Sequence, residues 1–163
     1  ETMLAMVDRF ARYGLPLHLT ETSLVSGDLM PAHIVDLNDH QVPSWPSTPE
    51  GEARQADDLE RHYRSLVGHP SVEAITYWGI TDEGAWLGAP IGLVRADGTP
   101  KPSYDVLRRL VKEEWWFGPT TLRTDEHGQV RVRGFRGDYR AEARGRSTDF
   151  AVAADGPGVQ IVA

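Results

Sequence analysis

The feature that most constrains the fold is an alternation of helical and strand-like segments through the first part of the chain. Apolar residues at helical spacing near the start are followed by the short apolar run Leu15–Thr20. A second helical pattern over Glu52–Val67 precedes a strand-like run over Val72–Trp78, and a third helix opens near Pro102. This order is typical of an α/β fold. Two strands cannot close a (β/α)8 barrel, so we expect part of one.

The first helix and the two strands carry distinct apolar patterns. The helix is expected to end near Gly14 and to bury one face, formed by Met3, Met6, Val7 and Phe10. In the second strand small and large side chains alternate, as expected if the small face points into a crowded barrel.

Each strand is followed by an unusual loop. Residues 24–52 are rich in proline and glycine and far exceed an ordinary connection of about 4–6 residues. The second loop, residues 79–88, combines glycine, acidic residues and tryptophan. Because (β/α) barrels place functional groups in the loops at the carboxyl ends of their strands, these two loops are where we expect the site.

The chain changes character after residue 117. Two β-prone runs, residues 120–124 and 129–133, flank a turn at residues 125–128. We predict two domains, part of a barrel over residues 1–117 and a small antiparallel β extension over 118–163. Further strands of the extension are expected over residues 139–143, 150–154 and 159–162.

Composition excludes several classes of function. The 163 residues are 40% hydrophobic, which suffices for a domain with a core. A net charge of −7 argues against a nucleic-acid partner, and no apolar run approaches the ~20 residues of a membrane helix. The histidines lack metal-ligand spacing, so we predict neither a metal nor any other cofactor.

Glu21 ends the first strand where the long loop begins, which makes it a candidate nucleophile. Taken alone, a solvated carboxylate is the commoner interpretation of such a residue. Trp78 and Trp86 are either core residues or platforms on which sugar rings stack, and we favour the platforms. Trp45 is either a loop anchor or an outer sugar subsite. Asp82 either bonds a sugar hydroxyl or bonds its own turn, which we favour.

Several short motifs occur in order: LHLTE at residues 17–21, HPSVEAITYWG at 69–79 and DGTPKPSY at 97–104. Together with Gln55, Tyr63, Asp82 and Trp86 they resemble the last quarter of the catalytic barrel of glycoside hydrolase family 10. The run RGFRGDY at 133–139 resembles a β extension found on some members.

The resemblance implies a retaining endo-1,4-β-xylanase on a (β/α)8 barrel, with this chain supplying the seventh and eighth strands. Glu21 then matches the nucleophile of a double-displacement mechanism, and the acid/base glutamate of the fourth strand has no counterpart here. The fragment alone is not expected to be active. The family often has Glu-Leu-Asp at the nucleophile, whereas Thr22 and Ser23 follow Glu21 here, which leaves the exact substrate open.

The implied partners are a polysaccharide, xylan or a related β-glycan, and the N-terminal remainder of the barrel. Such a polymer implies an extracellular or periplasmic location. Two alternatives stay open: another retaining β-glycanase acting on cellulose, mannan or mixed-linkage glucan, and a non-catalytic carbohydrate-binding module centred on residues 118–163. Residues 118–163 contain no tryptophan, which argues against a sugar-binding surface in that segment.

Overall fold

The computed structural model describes residues 2–153. By its internal contacts the chain divides into two compact units, Glu1–Val111 and Lys112–Ala163, which we call unit 1 and unit 2. None of the helices in the described part of the chain is long and apolar enough to cross a bilayer.

Unit 1 follows the alternation that the sequence predicts, and its two strands are parallel neighbours. Leu17 lies opposite Val72 and Thr22 lies opposite Tyr77, so both strands end at the same edge of the sheet. The elements are α1 (Thr2–Ala11), β1 (Leu17–Thr22), α2 (Pro49–Val67), β2 (Val72–Tyr77) and α3 (Pro102–Arg109), after which a π-helical turn runs over Leu110–Glu114.

Helix α2 has a well-defined start and a buried face. The Thr48 side chain accepts a hydrogen bond from the Gly51 N–H at 3.0 Å, and Pro49 occupies the first turn. Gly51 is required because a Cβ there would clash with the Ser26 carbonyl of the preceding loop. Further along the helix, Leu59 and Leu66 are completely buried in the core. The helix therefore fixes the long loop at its beginning and the core along its length.

The predicted apolar face of α1 is only partly covered. Val7 is buried and Met3 is half-buried, as expected, but Met6 and Phe10 are each more than half exposed. The prediction was wrong for these two side chains, because two strands offer too little surface to cover the whole apolar stripe of a helix.

Unit 2 contains an antiparallel hairpin, β3 (Gly137–Ala143) and β4 (Arg146–Val152). The predicted turn after residue 124 is present, with the Asp125 N–H donating to the Gln129 carbonyl at 2.8 Å. The runs 120–124 and 129–133 are not strands, which corrects the prediction; neither run has a strand ladder to join in the described part of the chain. The expected strand over 159–162 lies outside the described residues.

Candidate active site at the carboxyl ends of the parallel strands

Glu21 is the next-to-last residue of β1, and its side chain is exposed. The neighbouring strand ends beside it: the Trp78 N–H donates to the Thr22 carbonyl at 2.8 Å. The Ser23 hydroxyl donates to the Trp78 carbonyl at 3.1 Å. These two bonds join the ends of the two strands, so the structure brings Glu21 and Trp78 to one edge of the sheet.

Trp78 and Trp86 have exposed side chains, 52% and 60% by residue, and lie on the loop that follows β2. Trp86 opens a short 3-10 turn over Trp86–Gly88, in which Leu87 adopts a positive φ of 58°. A non-glycine residue in this conformation is uncommon and needs support from its surroundings. Exposed indole faces on a defined loop can stack on a flat ligand ring.

Trp45 behaves differently from these two tryptophans, being only 8% exposed. Its indole N–H donates to the Asp28 carbonyl at 2.8 Å, and its ring packs in a small cluster with Ala89 and Ile91. Of its two predicted interpretations, the structure favours the loop anchor. Trp45 ties the loop after β1 to the loop after β2.

Asp82 bonds within the protein. Its Oδ1 atom accepts from the Gly92 N–H at 2.9 Å and from the Lys101 ammonium at 2.7 Å. Asp82 therefore braces its loop, but through partners ten and nineteen residues further along the chain and not through the backbone of its own turn, as we had predicted.

A buried amide, Gln55, and a half-buried phenol, Tyr77, connect the same loops to the helices. Gln55 Nε2 donates to the Leu24 carbonyl at 2.7 Å, and its Oε1 accepts from the Ser103 hydroxyl at 2.8 Å. The Tyr77 hydroxyl donates to the Ile91 carbonyl at 2.7 Å. Burial of the phenol raises the pKa of Tyr77 to about 12. These contacts hold both loops against α2 and α3.

A second polar link lies at the start of α2. Glu52 pairs with the Arg95 guanidinium through both of its oxygens, and the Ser47 hydroxyl donates to it at 3.2 Å. The hydrogen bond from Arg95 lowers the pKa of Glu52, against the opposing effect of its burial. Arg95 also donates to the Pro100 carbonyl at 2.8 Å, so this pair ties the end of the second loop to α2.

Sequence reasoning missed the residues that hold the loops. Lys101 is 0% exposed, although a lysine beside a proline at a helix start has the pattern of a solvated residue. Ser26 is equally buried, and its sequence context carries no signal that distinguishes it from other loop serines. Gln55 does appear among the resemblance motifs, but without an assigned role.

The chemistry available at this edge is that of an exposed carboxylate, Glu21, on a strand end joined to the one that carries exposed Trp78. No group of three or more metal-ligating side chains occurs among residues 2–153. An exposed carboxylate can act as a nucleophile, and tryptophan faces can bind the apolar face of a sugar ring. One further carboxylic acid is needed before a glycosidic bond can be cleaved by this chemistry.

Two curated relatives share sequence with the chain. The anti-sigma-I factor RsgI6 of Acetivibrio thermocellus is 33% identical over 99 residues, which are 61% of this chain and 13% of that protein. Endo-1,4-beta-xylanase B of Thermotoga neapolitana is 27% identical over 120 residues, 70% of this chain and 30% of that protein. The chain thus spans less than a third of either relative's length. No family model matches the sequence.

Solved structures of xylanases resemble the chain as well. The native form of CbXyn10B matches it with a TM-score of 0.51 and 20% identity, over 64% of this chain and 32% of that one. Structures described as GH10 xylanases are also among the matches. The mixed helix and strand of unit 1 is consistent with part of a TIM barrel. The chain is therefore similar, over about two thirds of its length, to part of known xylanases, which confirms the resemblance to a xylanase that its motifs predicted.

Proposed function

We propose that the chain is the C-terminal part of a retaining endo-1,4-β-xylanase-like glycoside hydrolase. In this proposal β1 and β2 are the seventh and eighth strands of a (β/α)8 barrel, and Glu21 is the nucleophile. The observation that carries the proposal is the exposed Glu21 carboxylate at the end of a parallel strand, joined by hydrogen bonds to the strand end that carries exposed Trp78. The xylanase relative adds support at the level of sequence.

The mechanism follows from the position of one carboxylate. A Glu21 oxygen attacks the anomeric carbon of a β-1,4-linked xylosyl unit, and the bond to the leaving sugar oxygen breaks as a carboxylic acid protonates that oxygen. Water then attacks the anomeric carbon and gives its proton to the second carboxyl group, which is now a carboxylate; the bond to Glu21 breaks, and the Glu21 carboxylate is restored. Retaining enzymes hold the two carboxyl groups about 5–5.5 Å apart. The second group belongs to an upstream strand, so the reaction needs the N-terminal remainder of the barrel.

Substrate binding falls to the exposed aromatic residues. Trp78 lies at the edge of the sheet that carries Glu21, and Trp86 lies on the loop that follows Trp78; in this proposal a polymeric sugar chain stacks on their exposed rings. Trp45 is left out of this role because it is buried. A polysaccharide substrate places the enzyme outside the cell or in the periplasm, since the polymer does not cross a membrane.

A second candidate function is sugar binding without hydrolysis, within a regulatory protein. The observation that favours it is that the relative with 33% identity is named as an anti-sigma factor rather than as a hydrolase. Here Trp78 and Trp86 bind the glycan, and Glu21 acts as a hydrogen-bond acceptor for sugar hydroxyls.

The decisive experiment compares Glu21→Gln with wild type in the full-length protein, measuring reducing-sugar release from xylan. Glu73→Gln is the matched control, because Glu73 is an exposed carboxylate near the opposite end of the adjacent strand. We expect Glu21→Gln to lose turnover by several orders of magnitude with folding intact, and Glu73→Gln to retain it. Equal turnover in all three proteins would overturn the proposal. Tight xylo-oligosaccharide binding with no turnover in wild type would favour the second candidate.

A further inference from the structure

Outside the strand ends that carry Glu21 and Trp78, the most unusual side chain is that of Lys101, the residue just before α3. Its ammonium donates to the Ser26 hydroxyl at 2.8 Å and to Asp82 Oδ1 at 2.7 Å, with no part of the residue exposed. Ser26 belongs to the loop after β1, and Asp82 belongs to the loop after β2. One buried cation therefore joins both loops of the proposed active site to the start of a helix.

The hydrogen-bond directions around this ammonium leave little freedom. Because Lys101 only donates, the Ser26 hydroxyl accepts from it and donates in turn to the Pro90 carbonyl at 2.7 Å. Asp82 accepts a second bond from the Gly92 N–H. A Cβ at Gly92 would clash with the backbone of Thr81 and Asp82, so the two ends of the loop touch there. The loop geometry is fixed by several mutually dependent contacts.

A buried lysine contributes little net free energy to stability. Desolvation of both charges offsets much of their attraction, and a well-packed apolar pair of similar volume would often serve stability equally well. A polar pair instead has directional requirements, because each donor must face its acceptor. The pair of Lys101 and Asp82 instead gives a defined position to the segment that carries Asp82. That segment runs from Trp78 to Trp86.

We propose that Lys101 and Asp82 form a clamp that positions the aromatic loop, residues 78–88, relative to Glu21. Lys101 is then a positioning residue that never contacts substrate, and it acts through Asp82 on the orientation of Trp78 and Trp86. This inference rests on the proposed function, because the loop is taken as the sugar platform.

The test uses the full-length protein with Lys101→Met, Asp82→Asn and the double variant. Lys101→Met keeps an unbranched apolar side chain and removes the ammonium, and Asp82→Asn keeps an acceptor for the Gly92 N–H. We expect each single variant to lose about 10²-fold in kcat/KM on xylo-oligosaccharides, as the platform shifts with respect to the nucleophile. The double variant should lose no more than the worse single variant, because both residues belong to one device.

A matched control separates positioning from stability. Leu66→Ala removes a fully buried side chain near the far end of α2 and should lower the melting temperature at least as much. Below that temperature it should leave kcat/KM and the indole N–H resonances of Trp78 and Trp86 unchanged. Lys101→Met and Asp82→Asn should shift those two resonances, assigned with Trp78→Phe and Trp86→Phe.

The outcomes separate the clamp from the proposed function. If Lys101→Met and Asp82→Asn lower the melting temperature but leave kcat/KM and both resonances in place, the clamp is overturned and the pair is only structural. If Lys101→Met does not fold and Asp82→Asn does, the indole N–H resonances of Trp78 and Trp86 in Asp82→Asn decide: shifted resonances support the clamp, and unchanged resonances overturn it. If the resonances shift while Glu21→Gln retains full turnover, the clamp stands and the hydrolase proposal fails.

Discussion

Each of the two units of the chain is stabilised internally in a different way. Unit 1 buries both apolar side chains, such as Leu59, and polar ones, such as Gln55 and Lys101. In the described part of unit 2, residues 112–153, no side chain is fully buried. Its principal ring contact is the stack of Tyr139 on Phe150, with centroids 5.6 Å apart. Long loops can thus be well ordered when polar contacts fix them, whereas regular strands alone do not make a core.

The difference follows from how each unit can exclude water. In unit 1, α2 packs against α3 and β2, and the polar side chains Gln55 and Lys101, which hold the loops, are buried. A two-stranded hairpin such as β3–β4 has two open faces and two open edges, and by itself is marginal in water. Substitutions of similar chemistry in the two units should therefore differ in effect, and pairs of variants can test this.

The largest expected difference concerns apolar side chains. In the full-length protein, Leu59→Ala should lower the free energy of unfolding by about 2–5 kcal/mol, because it leaves a cavity in a closed core. Phe150→Ala should cost less, although it removes more atoms, because its ring is only half-buried. Urea unfolding measures both changes. Equal losses would mean that unit 2 has a core of its own.

The sequence predicted the elements of unit 1 because their apolar residues recur with clear periods. The helical spacing in α2 reflects burial on one face, and the glycine and proline near residues 68–70 mark a boundary. The alternation in β2 identified a strand, although the exposed residues of that strand, Glu73 and Thr76, lie on opposite faces. Glu21 was placed correctly at a strand end because the apolar run before it stops where the polar loop begins. A helix or strand whose pattern or limits are marked by apolar residues can therefore be predicted from a single sequence.

Other features could not be predicted from the sequence, for identifiable physical reasons. The runs 120–124 and 129–133 have strand-forming composition, but a strand also needs a neighbour, which composition does not report. The burial of Lys101 depends on acceptors distant in sequence, Ser26 and Asp82, and such pairing leaves no local pattern. For Trp45 the sequence left a loop anchor and an outer sugar subsite equally open, because the residues that cover its ring, Ala89 and Ile91, are distant in sequence.

The next effect in size concerns buried amides. Gln55→Leu should cost about 1–3 kcal/mol, because it leaves the Leu24 carbonyl and the Ser103 hydroxyl without their partner in a dry environment. The matched change in unit 2 is Gln129→Leu, whose side chain is exposed and which should stay within about 0.5 kcal/mol of wild type. Chemical denaturation distinguishes them. A near-neutral Gln55→Leu would show that the amide merely fills space.

A smaller effect depends on pH. Tyr77→Phe should cost about 0.5–1.5 kcal/mol near neutrality, where the hydroxyl bonds the Ile91 carbonyl. The folded pKa of Tyr77 is raised to about 12 from an ordinary value of 10.0, so the unfolded chain loses this proton first. The stabilisation is therefore complete below pH 10 and disappears as the pH rises towards 12. Unfolding free energies of both proteins from pH 8 to pH 11.5 should converge, and parallel curves would contradict the shift.

The smallest effect is expected at the ion pair between β3 and β4. Arg140 donates to both carboxylate oxygens of Asp149, at 2.7 and 3.0 Å, and both side chains are well exposed. Water and salt screen such a pair, and ordering two long side chains opposes its attraction. Arg140→Gln should leave the melting temperature unchanged within error, at low and at high salt. A marked loss at low salt that vanishes at high salt would mean that charge pairing, rather than the strand ladder and the stacked rings, holds the hairpin together.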